Sequence, residues 1–359
     1  MSSPVKRKIA FPMIGHYNYG IRYIVEKGLE QEYIMQTQMT RKTMEIGSKY
    51  SPDTVCTPFK TTLGSMIEAL EAGADTLIMT FGLCRLGYYG ELQEQILRDL
   101  GYDFDFVNLS DYQTGNKADY LKALKKLNPK TKKAKLAIAA VEGIKMAERM
   151  DEIEAEYYKK CGFETEKGAC KKVMNRFYRD MGKAANKEEI EEGYHRAKED
   201  LQAVPTERDE NPVRIGIIGE YFTVMDAFSN LEIEQKLADM RAEVHRWMNI
   251  SNRNLHYSGE KNLNVRIHDL CEYEMGPTST ANIWCARDYA ERGFDGIIHV
   301  KSAGCTPEID IMPVLQNLSA DYQIPILYLT YDSQTSDTGL LTRLEAFYDM
   351  LKMRKKVLR

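Results

Sequence analysis

Apolar residues along the chain fall into two recurring patterns. Short runs of strand length alternate with stretches whose apolar positions recur at helical spacing. In the first part the strand-like runs are residues 9–15 (IAFPMIG), 33–37, 75–80 (DTLIMT) and 104–109. Helical spacing fills residues 19–29, 59–72 (Leu63, Met66, Ile67, Leu70) and 91–100, and Gly73 and Gly101 close two of these. From 118 to 204 lysine and glutamate dominate while the helical spacing persists, which predicts about four helices with solvated outer faces. A polar, proline-flanked connector spans 203–213. Alternation then resumes, with strands at 213–222, 243–248, 295–300 and 326–330 and helices at 231–241, 280–292, 309–322 and 338–353. Alternating β and α predicts parallel sheets covered by helices. The expected fold is α/β: two Rossmann-like parallel-sheet domains, 1–115 and 211–359, with a helical insert at 116–210.

An internal similarity accompanies this pattern. CTPFKTTLGSMIEAL begins at Cys56 and CTPEIDIMPVLQNL begins at Cys305. The offset of 249 residues also carries Leu77 to Ile326 and Gly90 to Gly339. One offset shared by three landmarks is what two copies of one unit would give; generic βαβ geometry is the alternative.

Of 359 residues, 43% are hydrophobic and 28% charged, an ordinary balance for a globular chain. The formal net charge of −4 supplies no field for nucleic acid. No apolar run approaches the roughly 18 residues of a spanning helix. The first eight residues are polar and basic, without the apolar core of a secretory signal. A cytoplasmic location and no membrane partner are therefore expected. In that compartment thiols stay reduced, and seven widely spaced cysteines do not form a disulfide framework.

In each Cys-Thr-Pro segment the proline suits the first turn of a helix, which places the cysteine at a turn on the carboxyl edge of a parallel sheet. There the helix N-terminus favours a thiolate or an anionic group held by it. Cys84 follows the strand at 75–80 and reaches the same edge. If the two domains face each other, Cys56, Cys84 and Cys305 converge in the interdomain cleft. Three thiolates and one open position suit an iron–sulfur cluster with an accessible iron, or a zinc with a water. The other reading is that these cysteines are buried packing, since the chain has no C-x-x-C. Cys161, Cys170, Cys271 and Cys285 have no geometric case as ligands. A Walker loop and a G-x-G-x-x-G are both absent, and His16 is expected to be structural.

Several blocks resemble the 2-hydroxyacyl-CoA dehydratase component family: SKYSPDTVCTPFKTTLGSMIEALEAGADTLIM (48–79), CRLGYYGELQEQILRDLGYDF (84–104), GEYFTVMDAFSNLEIEQKL (219–237), GFDGIIHV (293–300), GCTPE (304–308) and TGLLTRLEAFYDML (338–351). The nearest branch is the stand-alone one labelled acyl-CoA dehydratase activase-related, a relative of double-cubane cluster proteins. The resemblance implies an oxygen-sensitive protein in which Cys56, Cys84 and Cys305 hold a [4Fe-4S] cluster with one open iron. It implies a separate ATP-dependent activator that injects a low-potential electron, an acyl-CoA or other small-molecule substrate, and a homo- or heterodimer. In dehydratases of the family, a ketyl radical lets an unreactive β-proton leave. Double-cubane relatives carry a fused [8Fe-9S] cluster and reduce small molecules. The chain departs from its branch at MTFGLCRLGYYG, where Phe81, Gly82 and Leu83 replace a glycine-rich Gly-Pro stretch; bulkier residues there would narrow the open site.

Around these cysteines Arg85, Tyr88, Tyr89 and Gln334 are candidate substrate contacts. Glu308, in the first turn after Cys305, would complement the helix N-terminus or transfer a proton. Rival functions are a dehydratase or reductase, an electron relay or scaffold without a substrate, and a zinc or metal-free binding protein.

Overall fold

The computed structural model describes residues 6–36, 38–79, 84–109, 117–256, 260–273, 275 and 278–357. Its strands build two sheets of four, parallel throughout. The first comprises β1 (Lys8–Ala10), β2 (Glu32–Tyr33), β3 (Thr76–Met79) and β4 (Asp105–Asn108), in the order β2-β1-β3-β4. The second comprises β5 (Arg214–Gly219), β6 (Glu243–Arg246), β7 (Gly296–Ser302) and β8 (Ile326–Tyr331), in the order β6-β5-β7-β8. The two orders are the same. In such a sheet the winding direction reverses beside the first strand, and ligands bind at the carboxyl ends of the strands on either side of that switch. The expected class, α/β with two Rossmann-like sheets, is therefore what the chain adopts.

The helices in chain order are α1 (Asn18–Tyr23), α2 (Arg41–Tyr50), α3 (Thr57–Glu71), α4 (Arg85–Asp99), α5 (Lys117–Leu127), α6 (Lys133–Lys160), α7 (Ala169–Lys183) and α8 (Lys187–Ala203). The second half contains α9 (Tyr221–Met225), α10 (Ile233–Asp239), α11 (Glu260–Ile267), α12 (Ser279–Glu291), α13 (Thr306–Asp310), α14 (Met312–Asp321) and α15 (Asp337–Val357). Internal contacts divide the chain into two compact units, Met1–Arg149 with Asp180–Glu192, and Met150–Arg179 with Gly193–Arg359. The lysine-rich stretch forms α5 to α8, and the divisions between units fall within α6, α7 and α8.

Each unit builds its own core. In the first, α3 is buried along most of its length, and Leu77, Ile78 and Met79 of β3 are buried as well. In the second, β5 and β7 read as near-continuous apolar runs because both faces of a central parallel strand are covered. Ile215, Ile217, Ile218, Ile297, Ile298 and Val300 are buried there, with Ile283, Ala286, Leu315 and Leu318 of α12 and α14.

The differences from the sequence pattern have local causes. β1 ends at Ala10, because Pro12 has no backbone N–H to continue a ladder. The helix expected at 309–322 is two, α13 and α14, with Pro313 in the first turn of the second. α4 begins at Arg85, well before residue 91, because Gly87 and Gly90 mask a helical start. α2 has no counterpart in the expected elements. It is fixed by a capping box between Thr40 and Thr43. It crosses α3 at Gly47 and Gly64, where a Cβ on either glycine would strike the other helix's backbone.

The internal similarity does not follow the topology. The offset of 249 carries β3 onto β8, whereas matching strand orders pair β3 with β7 and β4 with β8. Helix, strand, turn and helix recur at every parallel strand, so the shared landmarks reflect βαβ geometry rather than equivalent places. By position Cys305, after β7, corresponds to Cys84, after β3.

Candidate cysteine site

In the first unit α3 runs back from the carboxyl edge of its sheet towards the start of β3. Cys56 is its N-cap, with extended backbone (φ −67°, ψ 160°) and Pro58 in the first turn. It is half-buried. Cys84, also half-buried, stands directly before α4. The α3–α4 contact is fixed beneath it. Buried Gln93 donates to Phe59 O at 3.1 Å and to Thr62 Oγ1 at 2.7 Å. Tyr89 meets Phe59 edge-on, with ring centroids 4.7 Å apart. Tyr89 thus takes part in packing, while Tyr88 beside it is 83% exposed. Phe81, Gly82 and Leu83 lie outside the described residues, as does the Arg85 side chain.

In the second unit β7 ends at Ser302, and Ala303 N donates to Tyr331 O at 2.7 Å. Gly304 takes a left-handed φ of +72°, which turns the chain. Cys305 follows as the half-buried N-cap of α13, its N–H donating to Ser302 O at 3.1 Å. Cys84 and Cys305 therefore each follow the third strand of a sheet of the same order, which borders the switch point.

Three residues on from Cys305, Glu308 is 0% exposed. Its carboxylate accepts from Thr278 Oγ1 at 2.5 Å and from Asn282 Nδ2 at 3.0 Å. His299 Nε2 of β7, also 0% exposed, lies 2.7 Å from Glu308 Oε2. Asn282 in turn accepts from Gly219 N and donates to Gly219 O, each at 3.0 Å, and Ser279 Oγ donates to Pro307 O at 2.9 Å. The Cys305 turn is thereby tied to β7, to the end of β5 and to the start of α12. Nearby Glu220 caps α9 through the N–H groups of Phe222 and Thr223. Burial pushes its carboxyl up, against those hydrogen bonds, and the Glu308 charge adds to the rise. Gln334 follows β8, the strand beside β7, at the same carboxyl edge, exposed in a turn where its N–H donates to Asp332 Oδ1 at 2.8 Å.

Of the remaining cysteines, Cys271 is half-buried like these three and the others contrast with them. Cys161, Cys170 and Cys285 are buried. Burial drives the Cys161 and Cys285 thiols well up, and that of Cys170 up to about 12. Cys271 donates to Tyr273 O at 3.2 Å. No disulfide joins any of the seven. Among the described residues no group of three or more His, Cys, Asp or Glu is arranged to hold a metal ion.

His299 and Asn282 were not singled out from the sequence, and neither was Lys301. The signal for two of them lies in GIIHVKS of β7, whose period of two places His299 and Lys301 on one face, just ahead of the cysteine turn.

A doubly wound α/β chain with cysteine-bearing turns at the carboxyl edges of both sheets is the class these observations define. Residues 169–351, about half of the chain, match the family model described as 2-hydroxyglutaryl-CoA dehydratase, D-component. The chain belongs to that family, and a 2-hydroxyacyl-CoA dehydratase component-like role follows at that level. The matched span includes Cys305, Glu308 and His299, while Cys56 and Cys84 precede it. No curated protein matches the chain. No helix among the described residues is long and apolar enough to cross a membrane.

Proposed function

We propose that this chain is an oxygen-sensitive iron–sulfur protein of the dehydratase-component type, with Cys56, Cys84 and Cys305 as the ligands of one [4Fe-4S] cluster. The observation that carries this is the shared position of Cys84 and Cys305, each a half-buried thiol at the turn after the third strand of its sheet. Clusters of this kind are held by cysteine thiolates. Half-buried thiols at helix-opening turns fit that donor set. The sealed Cys161, Cys170 and Cys285, whose burial opposes the thiolate, do not. With three protein ligands the group would supply an open iron for a substrate oxygen and a low-potential electron.

The chain's own residues would do the rest. Glu308, sealed by His299, Asn282 and Thr278, holds the Cys305 turn in place and is a positioning residue rather than a proton donor. Exposed Tyr88, with Arg85 at the start of α4, is offered to the substrate or to an electron-donating partner. Tyr89 packs on Phe59 of α3, and Gln334, in the turn after β8, is a further candidate contact. The electron would come from a separate ATP-dependent activator, since the sequence has no nucleotide loop of its own. The substrate would be a 2-hydroxyacyl-CoA or a related small molecule. A fused [8Fe-9S] cluster reducing small molecules is the variant of this function that extra cysteine ligands would require.

Anaerobic purification tests the proposal. The expected spectrum is broad visible absorption that bleaches on reduction and is lost in air, with about four irons and four sulfides per chain, as a [4Fe-4S] cluster requires. About eight irons would favour the fused cluster. A colourless protein with stoichiometric zinc, or with no metal, would overturn it.

A further inference from the structure

Helix α15 is apolar on two sides. Leu340, Leu344, Phe347, Tyr348 and Leu351 are buried, and Phe347 and Leu351 lie over Gly296 of β7, where a Cβ would strike both side chains. The far side carries Ala346, Met350, Met353 and Val357. All four are exposed, Met353 at 69% and Val357 at 84%. A helix that is apolar all round is ordinarily covered all round, and an exposed apolar stripe on such a helix marks an interaction surface.

The spacing of these four residues bears on what covers them. They stand four, three and four residues apart, the repeat of a coiled-coil seam. Along one flank of the seam lie Asp349 and Lys356. Both are exposed, and among the described residues neither forms an ion pair. The neighbouring cations are engaged within the chain: Lys355 pairs with Asp295 at 2.6 Å, and Arg354 donates to Gln323 O.

Two copies of such a seam laid antiparallel meet in reverse order. Met350 then faces the partner's Met353, and Ala346 faces the partner's Val357. On the flank Asp349 faces the partner's Lys356, and two-fold symmetry supplies the same pair a second time. A parallel arrangement would bring Asp349 to the opposite flank of the partner helix. That flank carries Phe347, which is buried, and Arg354, which is engaged.

We propose that the exposed face of α15 is a self-association surface, on which a second copy of this chain docks its own α15 antiparallel. Charge complementarity commits the surface to that occupant, because an acid and a base on one flank stand at the separation at which the helix complements itself. The seam covers about three helical turns. That puts the contact at the small end for specific interfaces, so a dimer of micromolar or weaker affinity is expected. The surface belongs to the second unit and does not depend on the cluster assignment.

The test is sedimentation velocity of the full chain, purified anaerobically and loaded from about 1 µM to about 300 µM. Wild type should pass from monomer towards dimer across this range, less so as salt rises. Met353→Glu, at a position already exposed in the monomer, should stay monomeric throughout. Asp349→Lys and Lys356→Asp each turn two attractive contacts into two repulsive ones. Each should raise the dimer Kd about tenfold or more. An equimolar mixture of these two variants restores both opposite-charge pairs across the interface and should associate within a few-fold of wild type. Mixing repairs no defect of folding, so this rescue reports the interface itself. A wild type that is monomeric at every loading, a dimer that Met353→Glu leaves intact, or a mixture that associates no better than its components would each overturn the proposal.

Discussion

Glu308 shows how a residue's neighbours bear on its role. A glutamate three positions after a cysteine suggests either a partner for the helix N-terminus or an acid–base group. In the folded chain its carboxylate joins a buried network with His299, Asn282 and Thr278. Breaking a buried pair leaves the other members without their acceptor, at about 3–5 kcal/mol. Glu308→Ala should therefore lower stability by that order in urea denaturation. It should also loosen the turn it holds, so iodoacetamide labelling of Cys305 should accelerate relative to Cys56, a thiol of the other unit. Destabilisation with an unchanged labelling ratio would make Glu308 part of the general packing rather than a support for Cys305.

At the level of elements, what was legible followed the apolar pattern. Strands β3, β5, β7 and β8 are short, largely apolar runs of strand length, set off from the helical spacing on either side. Helix α3 shows a clear spacing through Leu63, Met66, Ile67 and Leu70. The edge strand β2, only Glu32–Tyr33, carries too few residues to show a period. Helix α2 was missed because its fixing feature is steric rather than hydrophobic. A glycine on each helix allows α2 and α3 to cross at backbone contact, and a glycine within a helical pattern ordinarily counts against the assignment. That contact predicts its own test. Gly64→Ala would drive a Cβ into the backbone at Thr43. Overpacking of this kind costs about 1–3 kcal/mol or more. The melting temperature should fall, whereas alanine at exposed Gly73 is expected to strain only a local turn with φ +94°. Equal melting temperatures for Gly64→Ala and wild type would remove the close crossing.

At the scale of the whole molecule, the two sheets of matching order decide between the two readings of the internal similarity. Cys-Thr-Pro at Cys56 and at Cys305 looks like a repeat. Yet one opens the helix leading to the third strand of its sheet and the other the helix leading to the fourth. Strand order is a tertiary property that no local spacing encodes. The network around Glu308 was illegible for the same reason: Gly219, the Thr278–Asn282 turn and His299 are brought together from three stretches of chain.

The central claim is that Cys56, Cys84 and Cys305 together hold one cluster. The most direct measurement is iron and acid-labile sulfide analysis of anaerobically purified Cys56→Ala, Cys84→Ala and Cys305→Ala, beside Cys161→Ala and Cys170→Ala. The first three should each lose most of their iron and the visible band, while the last two should match wild type. Full iron in any of the first three would remove that residue from the ligand set, and retention in all three would contradict the claim outright.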